Sequence, residues 1–170
     1  MKLPLTVLNS KETKELIKKL SNSFGCDLES LKKEYFFLFS ETRKRYYILK
    51  KYDGFDKIPE NLRVNRAGCY FATEDKDGLR LSIEGSQIIG PSASKNIIEI
   101  DEKSMNKWIL GEEIEINESL EKQINDKVDI SINKFVIVKH GNDFLGCGKV
   151  AKEKILNFVP KERRVHALFD

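Results

Sequence analysis

The chain has 170 residues, 40% of them hydrophobic and 34% charged, and a formal net charge of +3. That balance excludes a disordered polar chain, and with no run approaching the roughly 18 apolar residues of a membrane span it excludes a membrane-embedded one. The amino-terminal run MKLPLTVLNSKETKE has too short an apolar stretch before its charges for a secretory signal, so a cytoplasmic location is expected.

In chain order, Asn9 precedes KETKELIKKLSNSFG, in which Leu16, Ile17 and Leu20 recur at helical spacing and Glu12 completes a capping box with Asn9. A helix over about 10–23, stopped by Gly25, is predicted. DLESLKKE offers a short helix begun by Asp27. The aromatic runs YFFLFS and RYYILKK, separated by the charged turn ETRK, read as a β-hairpin. LRVNRAGCYFATE and LRLSIEG alternate around DKDG and read as a second hairpin with an Asp-Gly turn. GSQIIGPSASK then concentrates Gly, Pro and Ser, which places a domain joint near Gly90 to Ser94.

Beyond the joint, NIIEI predicts a strand. Asp101 caps a helix through Leu110 with Met105, Trp108 and Ile109 on one face and Gly111 at its end. EEIEI is a short strand, a polar stretch follows, and VDISI is another strand. KFVIVKH, the turn GND and FLGCGKV form a third hairpin, and the tail closes on a strand-like run around Val165. Five or six short strands with one inserted helix suit a small closed barrel.

The stretch NDFLGCGKV resembles a phosphate-binding loop only superficially. Aligned on Gly148 and Lys149, the motif's first glycine falls on Asp143 and its metal-contacting hydroxyl on Val150. The competing reading is a strand whose glycines sit at a bulge or a close backbone approach. Three cysteines, Cys26, Cys69 and Cys147, and two histidines fit no zinc or redox spacing. The cysteines are expected as small buried hydrophobes, and neither a metal nor a cofactor is expected.

Charge is distributed unevenly. Residues 97–133 hold ten acids against four bases, net −6, whereas residues 134–170 hold eight bases against four acids, net +4. Such asymmetry fits a polyanion-binding face with an acidic region turned away, the alternative being ordinary solvated faces.

The strand, the helix ending in WILGEEIEI and the late hairpin FVIVKHGNDFLGCGKV together resemble the PUA domain, the RNA-binding pseudo-barrel of pseudouridine synthases and archaeosine transglycosylases, over about residues 95–166. The layout of an α/β half joined to such a domain resembles the Nip-type ribosome-assembly factors. GKVAKEKILNFVPKERRV is similar to the end of Sun-family RNA cytosine-5 methyltransferases, in which GKV, an Asn, PK and an Arg recur in this order. Stand-alone archaeal relatives of that tail are ribosome-biogenesis proteins, and this chain resembles them best. The resemblance implies an α+β fold, with an N-terminal α/β domain of helices and antiparallel strands over residues 1–92 and a PUA-like β pseudo-barrel over 93–170.

The methyltransferase chemistry does not follow. A catalytic cysteine in Pro-Cys or Thr-Cys context and a glycine-rich turn for S-adenosylmethionine are both missing, and all three cysteines follow glycine. The resemblance therefore implies a non-catalytic protein that binds ribosomal or transfer RNA in ribosome biogenesis or RNA modification. The alternative is an adaptor that grips a pre-ribosomal protein or an RNA-modifying enzyme through the acidic segment 112–129 or through the first half. Candidate phosphate contacts are Lys149, Lys152, Lys154, Lys161, Arg163, Arg164 and Lys95, with Arg63 and Arg66 behind them. For each, a solvated surface charge competes. Phe144 and Phe158 could stack on bases, against core packing.

Overall fold

The computed structural model describes residues 5–53, 67–127 and 135–166. Arg63, Arg66 and the VDISI segment lie outside these residues. Elements in the first half are β1 (Thr6–Val7), α1 (Ser10–Phe24), α2 (Glu29–Glu34), β2 (Tyr35–Ser40), β3 (Arg45–Lys50), β4 (Cys69–Asp75), β5 (Gly78–Leu81) and α3 (Ile83–Ile89). The second half holds β6 (Ile97–Glu99), α4 (Glu102–Leu110), β7 (Ile114–Glu115), α5 (Glu118–Lys127), β8 (Phe135–His140), β9 (Asp143–Val150) and β10 (Lys154–Asn157). Single 3-10 turns cover Gly90–Ser92 and Lys161–Arg163. No helix among the described residues is long and apolar enough to cross a membrane.

α1 starts as its sequence dictates: Asn9 Oδ1 accepts from the backbone N–H groups of Lys11 and Glu12, each at 3.0 Å, and Glu12 Oε2 accepts from Asn9 N at 2.8 Å. A substitution that removes such a cap costs about 1 kcal/mol. The helix lays Leu16, Ile17, Leu20 and Phe24 against a wholly antiparallel sheet of order β1-β2-β3-β4-β5. The second sheet runs β6-β8-β9-β10-β7 and is mixed, with β6 parallel to β8.

β8 joins the two layers. Its residues Phe135 to Val138 are all buried, with Phe135 and Ile137 in the core beneath the first sheet and Val136 and Val138 in the core around Trp108. A strand buried on both faces reads as a continuous apolar run, and FVIV is one. The first core therefore crosses the Gly90–Ser94 segment and contains Cys147 of β9 beside Leu79 and Leu81 of β5.

Four local expectations are corrected. SIEGSQII, read as strand and linker, is helix α3, capped by Ser82 Oγ accepting from Gly85 N at 2.9 Å, and its buried residues are Gly85, Ser86 and Ile89. The polar stretch after β7 contains a second inserted helix, α5, whose Leu120 and Ile124 face the core. Val165 forms no strand; its N–H donates to Ile109 O at 3.0 Å and the residue is 40% exposed. Among the cysteines Cys147 is buried as expected, but Cys26 is only half-buried and Cys69 is exposed.

Candidate nucleic-acid interface

NDFLGCGKV is strand β9, and its glycines serve packing. Val138 pairs with Gly146 and Lys139 with Phe144, so Leu145 is an extra residue at a bulge, with Gly146 at φ 114. The bulge leaves the Leu145 carbonyl free to accept from Trp108 Nε1 at 3.1 Å. At Gly148, a Cβ would stand 2.7 Å from Ile155 Cγ2 and 2.9 Å from the Trp108 ring. The close approach thus belongs to the core around Trp108, and Phe144 packs against Gly90 at the first core.

The candidate cations divide by what holds them. Lys149 pairs with Asp77 of the β4–β5 turn and lies 5.8 Å from the Phe135 ring centroid. Lys154 pairs with Glu113, and Arg163 Nη1 is 2.8 Å from Glu84 Oε1 of α3. Arg164 is turned inward, its Nε donating to Val159 O at 3.0 Å and its side chain covering Gly111 at the end of α4. A cation at a helix carboxyl end also meets the negative end of the macrodipole. Lys95, Lys152 and Lys161 are exposed and form no ion pair among the described residues. Lys152 lies in the β9–β10 turn and Lys154 opens β10, whereas Lys161, Arg163 and Arg164 follow the opposite end of β10.

A cleft between the halves adds residues that linear charge density does not single out. It has a volume of about 280 Å³ and is lined by Arg45 of β3, Tyr70 of β4, Arg80 of β5, Ser82, Phe158 and Glu162, among others. The Arg45 guanidinium stands 4.9 Å from the Tyr70 ring centroid, and that of Arg80 stands 4.5 Å from the Phe158 centroid. Arg80 Nε is buried without a hydrogen-bond partner among the described residues. Ser82 Oγ is committed locally, donating to Tyr70 O at 2.7 Å. The signals present in the sequence are an Arg at the start of an aromatic strand and another in LRL; their convergence comes from sheet order. Cys147 also lines the cleft, but burial pushes its thiol up to about 12, so it stays protonated and is no nucleophile at neutral pH.

Comparison with known proteins agrees with this architecture. Residues 95–165 match the family model described as the methyltransferase RsmF PUA domain. Over 95% of its length, the chain is similar to ribosomal RNA small subunit methyltransferase F. Identity is 24% over 169 residues with the Vibrio parahaemolyticus protein and 22% over 166 residues with a Vibrio cholerae protein. For the Aeromonas hydrophila protein it is 22% over 161 residues. The chain spans only 30–31% of the length of these relatives. The fold is α+β, and its second half is PUA-like.

Proposed function

We propose, from a second half that matches the PUA domain of methyltransferase RsmF, that this protein binds RNA without modifying it and acts on ribosomal RNA during its modification or assembly into ribosomes. The match over residues 95–165 carries the reading, and the similarity to ribosomal RNA small subunit methyltransferase F directs it to ribosomal RNA. Lys95, Lys152 and Lys161 supply the free positive charge; Lys149, Lys154 and Arg163 join them where a phosphate displaces a paired carboxylate. A catalytic role has little support in a chain without a glycine-rich cofactor turn, whose cysteine thiols have their pKa values raised by burial.

Binding of ribosomal RNA fragments across a salt series tests this. Changing Lys95, Lys152 and Lys161 together to Glu is expected to weaken binding and to reduce the slope of log K against log salt by about 0.7–0.9 for each phosphate no longer neutralised. An affinity and slope unchanged in the triple variant would remove these lysines from the interface. Calorimetric binding of S-adenosylmethionine would overturn the non-catalytic part. A second reading, an adaptor for a basic protein partner, draws on α5, whose outer face carries the exposed Glu118, Glu121 and Asp126. Co-purification of such a partner after nuclease treatment would favour it.

A further inference from the structure

We propose that the cleft between the halves is a nucleotide subsite that takes one unstacked base together with its adjoining phosphate. The inference rests on the RNA-binding reading and names where a single-stranded residue is held. Its volume of about 280 Å³ lies just below the range for small-ligand sites, about 300–1,000 Å³. That is room for one nucleotide unit and not for a helix.

The lining supplies both chemistries that such a unit requires. Arg80 is held over the Phe158 ring and Arg45 over that of Tyr70, giving planar cationic surfaces on which a base can stack. A buried N–H without an acceptor is costly and rare in folded proteins, and the Nε of Arg80 has none among the described residues, so an acceptor brought by a ligand would satisfy it. A guanidinium selects a phosphate oxygen or a base carbonyl for that role, since both match its fork of donors. Among the described residues Glu162 is the one carboxylate on the lining against two guanidiniums, so the cleft keeps a positive balance. Its apolar walls, Leu81, Ile83 and Val159, suit the face of a base and would gain nothing from a bare inorganic anion.

The site joins β3, β4 and β5 of the first sheet to β9 and to the segment after β10. Neither half would make it alone, which gives the amino-terminal elements a part in RNA recognition. The opening is set apart from Lys152, which lies at the far end of β10. Phosphate attraction by the exposed lysines and capture of one base by the cleft are therefore separable.

The same chemistry could be presented by an RNA strand or by a free nucleotide. The test measures binding of the full chain to a mixed-sequence single-stranded 12-mer RNA, to the same sequence as a duplex, and to the four nucleoside monophosphates. The wild type is compared with Arg45→Ala, Arg80→Lys and the double variant Arg45→Ala/Arg80→Ala. The double variant is expected to lose about tenfold or more in affinity for the single strand and less than about twofold for the duplex. Arg80→Lys keeps the charge but loses the planar surface and the Nε–H, so it is expected to lose affinity for the single strand as well, and it keeps the test informative if the double variant fails to fold. Arg80-dependent binding of monophosphates without preference for the single strand would assign the site to a free nucleotide and support the shared chemistry. Unchanged single-strand and monophosphate binding in folded variants would overturn the subsite while leaving the RNA-binding reading intact. A wild-type protein that binds neither RNA nor monophosphates would overturn both.

Discussion

Arg164 occupies the space into which any side chain at Gly111 would grow: a Cβ at Gly111 would stand 2.3 Å from Arg164 Nε. Gly111 ends α4 at φ 91, in the left-handed region. The helix end and the tail are thus fitted to one another through a missing side chain. Gly111→Ala is expected to destabilise the fold by at least about 1–2 kcal/mol from backbone strain, with the steric overlap added. Combining it with Arg164→Ala should recover part of that loss, read as a coupling between the two sites in urea denaturation. Additive costs would show that the contact is not strained in solution.

Lys149 is held by Asp77 across the two halves, with side chains 23% and 28% exposed. Asp77→Asn should release it. RNA affinity is then expected to rise by about threefold or more at low ionic strength, and the gain should shrink as salt is added. Stability should fall by about 1 kcal/mol or less, as for other partly exposed pairs. No change in affinity would remove Lys149 from the interface.

The thiols should differ in reactivity. Cys69 is exposed and is expected to react first with a thiol reagent at neutral pH, Cys26 more slowly, and Cys147 only on unfolding. Burial pushes the Cys147 thiol and the Tyr46 phenol both up to about 12, from ordinary values of 9.0 and 10.0. In the unfolded chain these groups ionise near their ordinary values, so the fold binds the proton more tightly. Their contribution is fully present below about pH 9 and is lost as pH rises towards 12. Urea midpoints should fall above pH 9, and Tyr46→Phe should flatten the part of the decline between pH 10 and 12. A curve for Tyr46→Phe parallel to the wild type would refute that assignment.

Gly148→Ala tests the packing of β9. Its new methyl would meet Ile155 and the Trp108 ring, both buried, and overpacking of this kind costs about 1–3 kcal/mol. Thermal unfolding should show the loss. A melting temperature equal to the wild type would mean that the Trp108 pocket can relax.

Elements with self-contained signals are legible in the linear order of residues. Asn9 and Glu12 cap α1 within one turn, and the apolar and aromatic runs of β2, β3, β8 and β9, joined by short turns, need only near neighbours. α3 escapes a periodicity reading because its inward face is Gly85, Ser86 and Ile89, of which Ile89 alone is a large apolar residue, so no apolar period shows. α5 escapes it because Leu120 and Ile124 are its only buried side chains among those described, too few to stand out from ESLEKQINDK. Val165 has the composition of a strand residue, yet it is not in a strand and its N–H bonds to Ile109 O.

The α+β character follows from the sequence alone, because caps and turn residues act over a few neighbouring positions, and the PUA-like pattern of the second half is legible through the motifs it shares with that family. Which positive charges are free is a property of the folded chain. Asp77, Glu84 and Glu113 lie far along the chain from Lys149, Arg163 and Lys154, and ion pairing depends on distance in space. The meeting of Arg45, Arg80, Tyr70 and Phe158 in one cleft is likewise a tertiary outcome, since sheet order and the burial of both faces of β8 bring those segments together.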